Sequence, residues 1–223
     1  MADSRLSAVV LAGGQARRLG GADKPLIEIG GRTLACAVIS AAAAAGADPV
    51  VLVGPDRPDL MTELTRSGLA NRVELTSEQP AGGGPVPGLR AGLDLLAATD
   101  WALLLAADLP FLTGELLGEL VAAADGVVGA VAADGTGRAQ WLTSCWRVAA
   151  LRAALAGYEG NSLRGLLAPL GASLVTMTSE PGKTGLPGMT GHLGQPPFWL
   201  DCDTPEDVLA ARSWIAPKGS ARE

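Results

Sequence analysis

The segment 101–106 reads Trp-Ala-Leu-Leu-Leu-Ala, six residues without a polar side chain. A strand of that composition has no face for water, so it belongs inside a sheet covered on both sides. Shorter apolar runs at 7–11, 50–53, 73–76, 174–177 and 198–202 predict further strands. Helical stretches alternate with them. Thr33 caps a helix over 34–45 that Gly46 ends. Others are expected over 59–67, 87–97, 148–156 and 162–167, the last opened by Asn161 or Ser162. Thr113 opens one more, with Glu115 in its favourable first turn. Residues 127–132 and 139–146 read as two extended segments around an Asp134-Gly135 turn. Asp203-Thr204-Pro205-Glu206-Asp207 opens a final helix with a cap, a proline and early acids. This alternation predicts an α/β fold: a single Rossmann-like three-layer domain with a mostly parallel sheet. The domain is expected over residues 1–217, with a mobile Gly/Pro-rich loop at 179–197 and a flexible tail at 218–223.

Bulk composition removes several function classes. The 223 residues carry a formal net charge of −6, which argues against general nucleic-acid binding, since phosphate-backbone affinity needs clustered Lys and Arg. Hydrophobic residues make up 48% and charged residues 18%, as in a folded chain. No apolar window reaches the roughly 18 residues of a membrane span. The three cysteines, Cys36, Cys145 and Cys202, lack C-x-x-C spacing and fit reduced thiols, so a cytoplasmic location is expected. A single histidine, His192, excludes a multi-histidine metal site and offers no setting for a Ser-His or Cys-His pair.

In parallel sheets, ligands sit at the carboxyl ends of the strands. Three chemically distinctive segments fall there. After the first strand comes Leu11-Ala12-Gly13-Gly14, with Arg17, Arg18 and Lys24 close behind. Glycines let backbone N–H groups approach an anion, and fixed cations suit a triphosphate. The spacing is neither G-x-G-x-x-G nor a Walker loop, because Lys24 is followed by Pro25. Asp108 follows the most hydrophobic strand. It is not needed as a helix cap, since Thr113 fills that role. Asp203 follows the last expected strand and serves equally as a helix cap or as a second acid, with Asp201 as an alternative. Two carboxylates, completed by phosphate oxygens and water, suit Mg²⁺. A second glycine- and proline-rich loop, 78–89, is shaped by Pro80, Pro85 and Pro87. Arg138, Gln140, Trp141 and Arg147 lie on or beside the later extended segment, where Trp141 and Trp146 read as core.

Leu11-Ala12-Gly13-Gly14, Arg18-Leu19-Gly20 and Lys24-Pro25-Leu26 together resemble the signature loop of the nucleotidyltransferase-A superfamily. Within it the chain most resembles the molybdenum cofactor guanylyltransferases of the MobA-like NTP transferase family and their cytidylyltransferase relatives. Ala16 departs from the Ser that many relatives carry. The resemblance implies a nucleotide-diphospho-sugar transferase type of fold. It also implies transfer of GMP from Mg-GTP to the phosphate of molybdopterin or its molybdenum form, with pyrophosphate released. The same chemistry with CTP, a sugar- or polyol-phosphate acceptor, and a non-catalytic nucleotide-binding module are the alternatives. A dinucleotide-dependent oxidoreductase would need the missing G-x-G-x-x-G loop. By resemblance, Leu11, Ala12, Gly13, Gly14 and Lys24 bind nucleotide, and Glu78, Gly83, Gly84 and Pro85 frame the base and ribose. Lys24, Arg18 and Asp108 carry catalysis, Asp108 and Asp203 hold Mg²⁺, and Asn161 and Arg164 approach the acceptor. Transient contact with other cofactor-biosynthesis proteins or molybdoenzymes is implied too; contact with nucleic acid or membrane is not.

Overall fold

The computed structural model describes residues 4–13, 21–177 and 196–215. Strands β1 (Leu6–Leu11), β4 (Val50–Val53), β5 (Val73–Thr76), β6 (Trp101–Ala106), β7 (Gly129–Ala133), β8 (Ala139–Arg147) and β9 (Ser173–Thr176) form one sheet in the order β5-β4-β1-β6-β8-β7-β9. β1 lies parallel to both β4 and β6, with Ala8 beside Val50 and Leu103. β8 alone runs the other way, antiparallel to β6 and β7. The apolar segment β6 is central, as its composition requires. The Asp134-Gly135 turn does reverse the chain, and Asp134 Oδ1 braces it by accepting from the Thr136 and Arg138 amides at 2.9 and 3.0 Å.

Period-two alternation divides the core. Ala8 and Val10 of β1 join a cluster with α1 (Leu34–Ala44), α2 (Pro58–Arg66) and α4 (Gly114–Ala123) on one face. Val9 points to the other, with α3 (Pro85–Asp94), α5 (Val148–Ala156) and α6 (Leu163–Leu167). α3 lies close against the sheet because its inner face carries glycine. A Cβ on Gly92 would stand 2.5 Å from Val9 Cγ1, and one on Gly88 3.3 Å from Leu11 Cδ2. A third small cluster joins Ile29, Leu34, Phe111, Cys202, Val208 and Ala211, and seats α7 (Pro205–Ile215).

The structure departs from the sequence expectations in three places. A short hairpin, β2 (Glu28–Ile29) and β3 (Arg32–Thr33), turns through Gly30 and Gly31, both at positive φ. α3 begins at Pro85 instead of residue 87, because Gly84 at φ 95° frees the preceding backbone and proline suits the first helical position. Of the two caps expected for α6, Ser162 takes the role, accepting from the Gly165 amide at 3.3 Å. Residues 198–202 form no strand, and Phe198 and Cys202 are buried in different clusters. Among the described residues no helix is long and apolar enough to cross a membrane. Gly14, Arg18 and His192, and nearly all of the expected 179–197 loop, lie outside the described residues.

Candidate active site

The site forms above the carboxyl ends of β1 and β6. Beyond β1 the ladder continues one step, with the Ala12 amide donating to the Val53 carbonyl at 2.8 Å. The Ala12 carbonyl accepts from Arg57 at 3.0 Å, so both polar backbone groups of Ala12 are engaged. The first free-standing residue is Gly13, which is exposed. Glu78 packs against it. A Cβ at Gly13 would come 3.2 Å from Glu78 Oε1, an oxygen that also accepts from the Gly82 amide at 3.1 Å. Glu78 is 8% exposed and thereby holds the two glycine loops together. Gly83 tolerates no side chain, since its Cβ would meet the Pro80 carbonyl oxygen at 2.9 Å. Gly84 and Pro85 form the start of α3. Leu11 closes β1, half-buried.

Lys24 opens a 3₁₀ turn, Lys24–Leu26, and Pro25 beside it is buried. Its Nζ forms ion pairs with both Asp108 and Asp203. Burial alone would lower the Lys24 pKa, but the carboxylates, Asp108 foremost, hold it above the ordinary lysine value. Lys24 is therefore a cation across the physiological range. The other Asp108 oxygen, Oδ1, is buried and has no hydrogen-bond partner among the described residues. Leaving a carboxylate oxygen bare is costly unless a cation or donor meets it. That orphaned oxygen and the adjacent Asp203 fit a hard divalent cation such as Mg²⁺. Among the described residues no group of three His, Cys, Asp or Glu side chains forms a self-sufficient metal cage.

The competing role for Asp203, helix capping, belongs to its neighbour. Thr204 Oγ1 accepts from the Asp207 amide at 3.2 Å, which leaves Asp203 free to reach Lys24. Asp201 stands nearby. Burial first, then the charges of Asp203 and Asp108, push its carboxyl above the usual carboxylate range. Asn161 lies apart from this trio. It lines a cleft of about 420 Å³ with Thr76, Ser77, Gln79, Pro87 and Arg90, between the end of β5, α3 and the α5–α6 connection. Arg164 is exposed on α6. Gln140 is tied to Asp134 at 2.9 Å, and Trp146 is fully buried core.

Arg57 is the residue that sequence reasoning passed over. It is a lone arginine in the loop from β4 to α2, with no motif around it. Its side chain is 5% exposed and forks onto Asp23, Nε to Oδ2 at 2.7 Å and Nη2 to Oδ1 at 2.9 Å. The Asp23 carboxylate thus has a buried arginine as its partner.

The architecture is that of the nucleotidyltransferases. A nucleotidyl transferase from Methanothermobacter thermautotroptrophicus superposes with a TM-score of 0.72, 22% identity, and 94% of this chain and 96% of that one covered. The particular family follows from sequence: the MobA-like NTP transferase domain matches residues 8–175, and the chain belongs to that family. A molybdenum cofactor guanylyltransferase of Bradyrhizobium sp. strain ORS 278 is 38% identical over 119 residues, covering 52% of this chain and 53% of the relative. One from Acidiphilium cryptum strain JF-5 is 36% identical over 183 residues, covering 79% and 86%. The match to the first of these spans about half the relative's length.

Proposed function

We propose that this protein transfers GMP from GTP to the terminal phosphate of molybdopterin or its molybdenum form, releasing pyrophosphate. The carrying observation is the meeting of Lys24 with Asp108 and Asp203. An acceptor phosphate oxygen attacks the α-phosphorus of GTP, the bond from that phosphorus to the α,β-bridging oxygen breaks, and pyrophosphate leaves with the electron pair. The acceptor brings its own nucleophilic oxygen, so the protein's work is alignment and charge neutralisation. Lys24 neutralises the departing phosphates, joined by Arg18. Gly13 and Gly14 offer backbone to the triphosphate, while Leu11 and Ala12 wall it. Glu78, Gly83, Gly84 and Pro85 frame the base. Asp108 and Asp203 would hold Mg²⁺, which when bound supplies positive charge to the triphosphate. Asn161 and Arg164 are proposed on the acceptor side, and the reaction is placed in the cytoplasm.

Calorimetry with GTP, CTP, ATP and UTP, each with and without Mg²⁺, tests the reading, followed by pyrophosphate release with molybdopterin. Mg²⁺-dependent binding of GTP alone supports it. A preference for CTP moves the assignment to cytidylyl transfer. Binding of none, together with no pyrophosphate release, overturns it.

A further inference from the structure

We propose that Arg57 is a positioning residue that clamps both ends of the first glycine loop and so sets where Lys24 stands. This rests on the nucleotidyl-transfer reading above and deepens it. One guanidinium bonds to Ala12, which directly precedes the loop, and to Asp23, which directly follows it. Nη2 donates to the Ala12 carbonyl at 3.0 Å and to Asp23 Oδ1 at 2.9 Å, and Nε donates to Asp23 Oδ2 at 2.7 Å. Nη1 is held by the Pro55 carbonyl at 3.1 Å. Four of the five N–H donors of an arginine are thus used, all on backbone or on Asp23.

Fixing Asp23 fixes its neighbour, because the Asp23 carbonyl accepts from the Leu26 amide at 2.9 Å and starts the turn that carries Lys24. Gly54 leaves room for the fork by carrying no side chain. A Cβ on Gly54 would lie 2.9 Å from the Ala12 carbonyl oxygen and 3.2 Å from Arg57 Nη1. Burying an arginine is a poor way to gain stability, since desolvation offsets most of the ion-pair attraction. A planar fork does provide fixed geometry at two places at once, which the single point charge of lysine does not.

The variants Arg57→Lys and Asp23→Asn keep charge or size while breaking the fork. Two readouts are taken together: affinity for Mg-GTP and for GMP by calorimetry, and backbone amide exchange over residues 12–13 and 23–27. In both variants, GTP binding is expected to weaken about ten- to a hundredfold. GMP affinity should move far less, amide exchange at both loop ends should quicken, and the melting temperature should stay within a few degrees. Equal losses for GTP and GMP, or unchanged exchange at the loop ends, overturn the clamp. If the wild-type protein binds neither nucleotide, the functional reading fails, and the amide exchange alone still decides whether Arg57 holds the loop.

Discussion

Asp207 and Thr204 cap the last helix reciprocally. The Asp207 carboxylate accepts from the Thr204 amide and hydroxyl, each at 2.8 Å, and the Thr204 hydroxyl accepts from the Asp207 amide at 3.2 Å. This is the capping-box arrangement with aspartate at the third helical position. It separates two jobs that the sequence Asp203-Thr204-Pro205-Glu206-Asp207 leaves merged.

Substitution can therefore pull them apart. Thr204→Ala is expected to cost about 0.5–2 kcal/mol of stability, the usual range for a lost cap. Asp203→Asn should leave urea denaturation nearly unchanged while depressing pyrophosphate release. A large stability loss in Asp203→Asn would mean that its carboxylate carries structural weight after all.

Lys24 occupies the carboxylates that a divalent cation would use. Lys24→Met is thus expected to bind Mn²⁺ without nucleotide about tenfold more tightly than the wild-type protein, tenfold being about 1.4 kcal/mol. Titration followed by electron paramagnetic resonance reads this directly. Asp108→Asn should abolish the Mn²⁺ signal and lower kcat about 10²–10³-fold, as expected when charge stabilisation is removed. Unchanged Mn²⁺ affinity in Lys24→Met would show that the ammonium does not compete for the site.

All three cysteines are buried and unpaired. Burial pushes the Cys145 thiol up to about 12, outweighing the opposing pull of the Trp146 amide. In the unfolded chain a thiol titrates near ~8.5. Below that value the thiol is neutral in both states and the stability is fully present. Above it the unfolded chain loses its proton first, so stability falls as pH rises towards the folded value, by at most about 1.4 kcal/mol per unit for this group. Urea midpoints at rising alkaline pH should show the decline, and Cys145→Ala should make it shallower. At neutral pH a thiol reagent should label the native protein slowly; fast labelling of Cys145 would contradict its burial.

Gly92→Ala tests the close seat of α3. The added methyl would stand 2.5 Å from Val9 Cγ1 and 3.2 Å from Val53 Cγ2. The expected cost is about 1–3 kcal/mol, typical of overpacking, measured as a lower denaturation midpoint. Gly118→Ala, which meets nothing within 4 Å, is the matched control and should not destabilise.

The elements that sequence made legible are those whose burial is two-sided or whose caps are local. β6 shows as an unbroken apolar run, and Thr33 and Thr113 announce their helices through contacts three residues long. The β2–β3 hairpin was missed because its strands are only two residues long, too short for any alternation to show beside the Gly30-Gly31 turn. Residues 198–202 misled because Phe-Trp-Leu has strand composition, whereas its side chains pack into separate clusters, Phe198 and Trp199 in one and Leu200 and Cys202 in another. The reversal of β8 against β6 is a long-range pairing that local periodicity does not encode. Asp108 and Lys24 were visible because glycine and acid at strand ends carry chemistry by type. Arg57 was not, because its partners Ala12 and Asp23 lie 45 and 34 residues away.

Asp203 follows every strand of the sheet in the chain, yet Lys24 and Asp108 are in place within its first half. During synthesis the glycine turn and the first acid can be organised long before the second acid emerges. A growing chain can thus carry Lys24 and Asp108 while the opposing carboxylate is still missing. Asp203 completes the charge cluster, and truncation between residues 177 and 203 removes that acid without touching any strand of the described sheet.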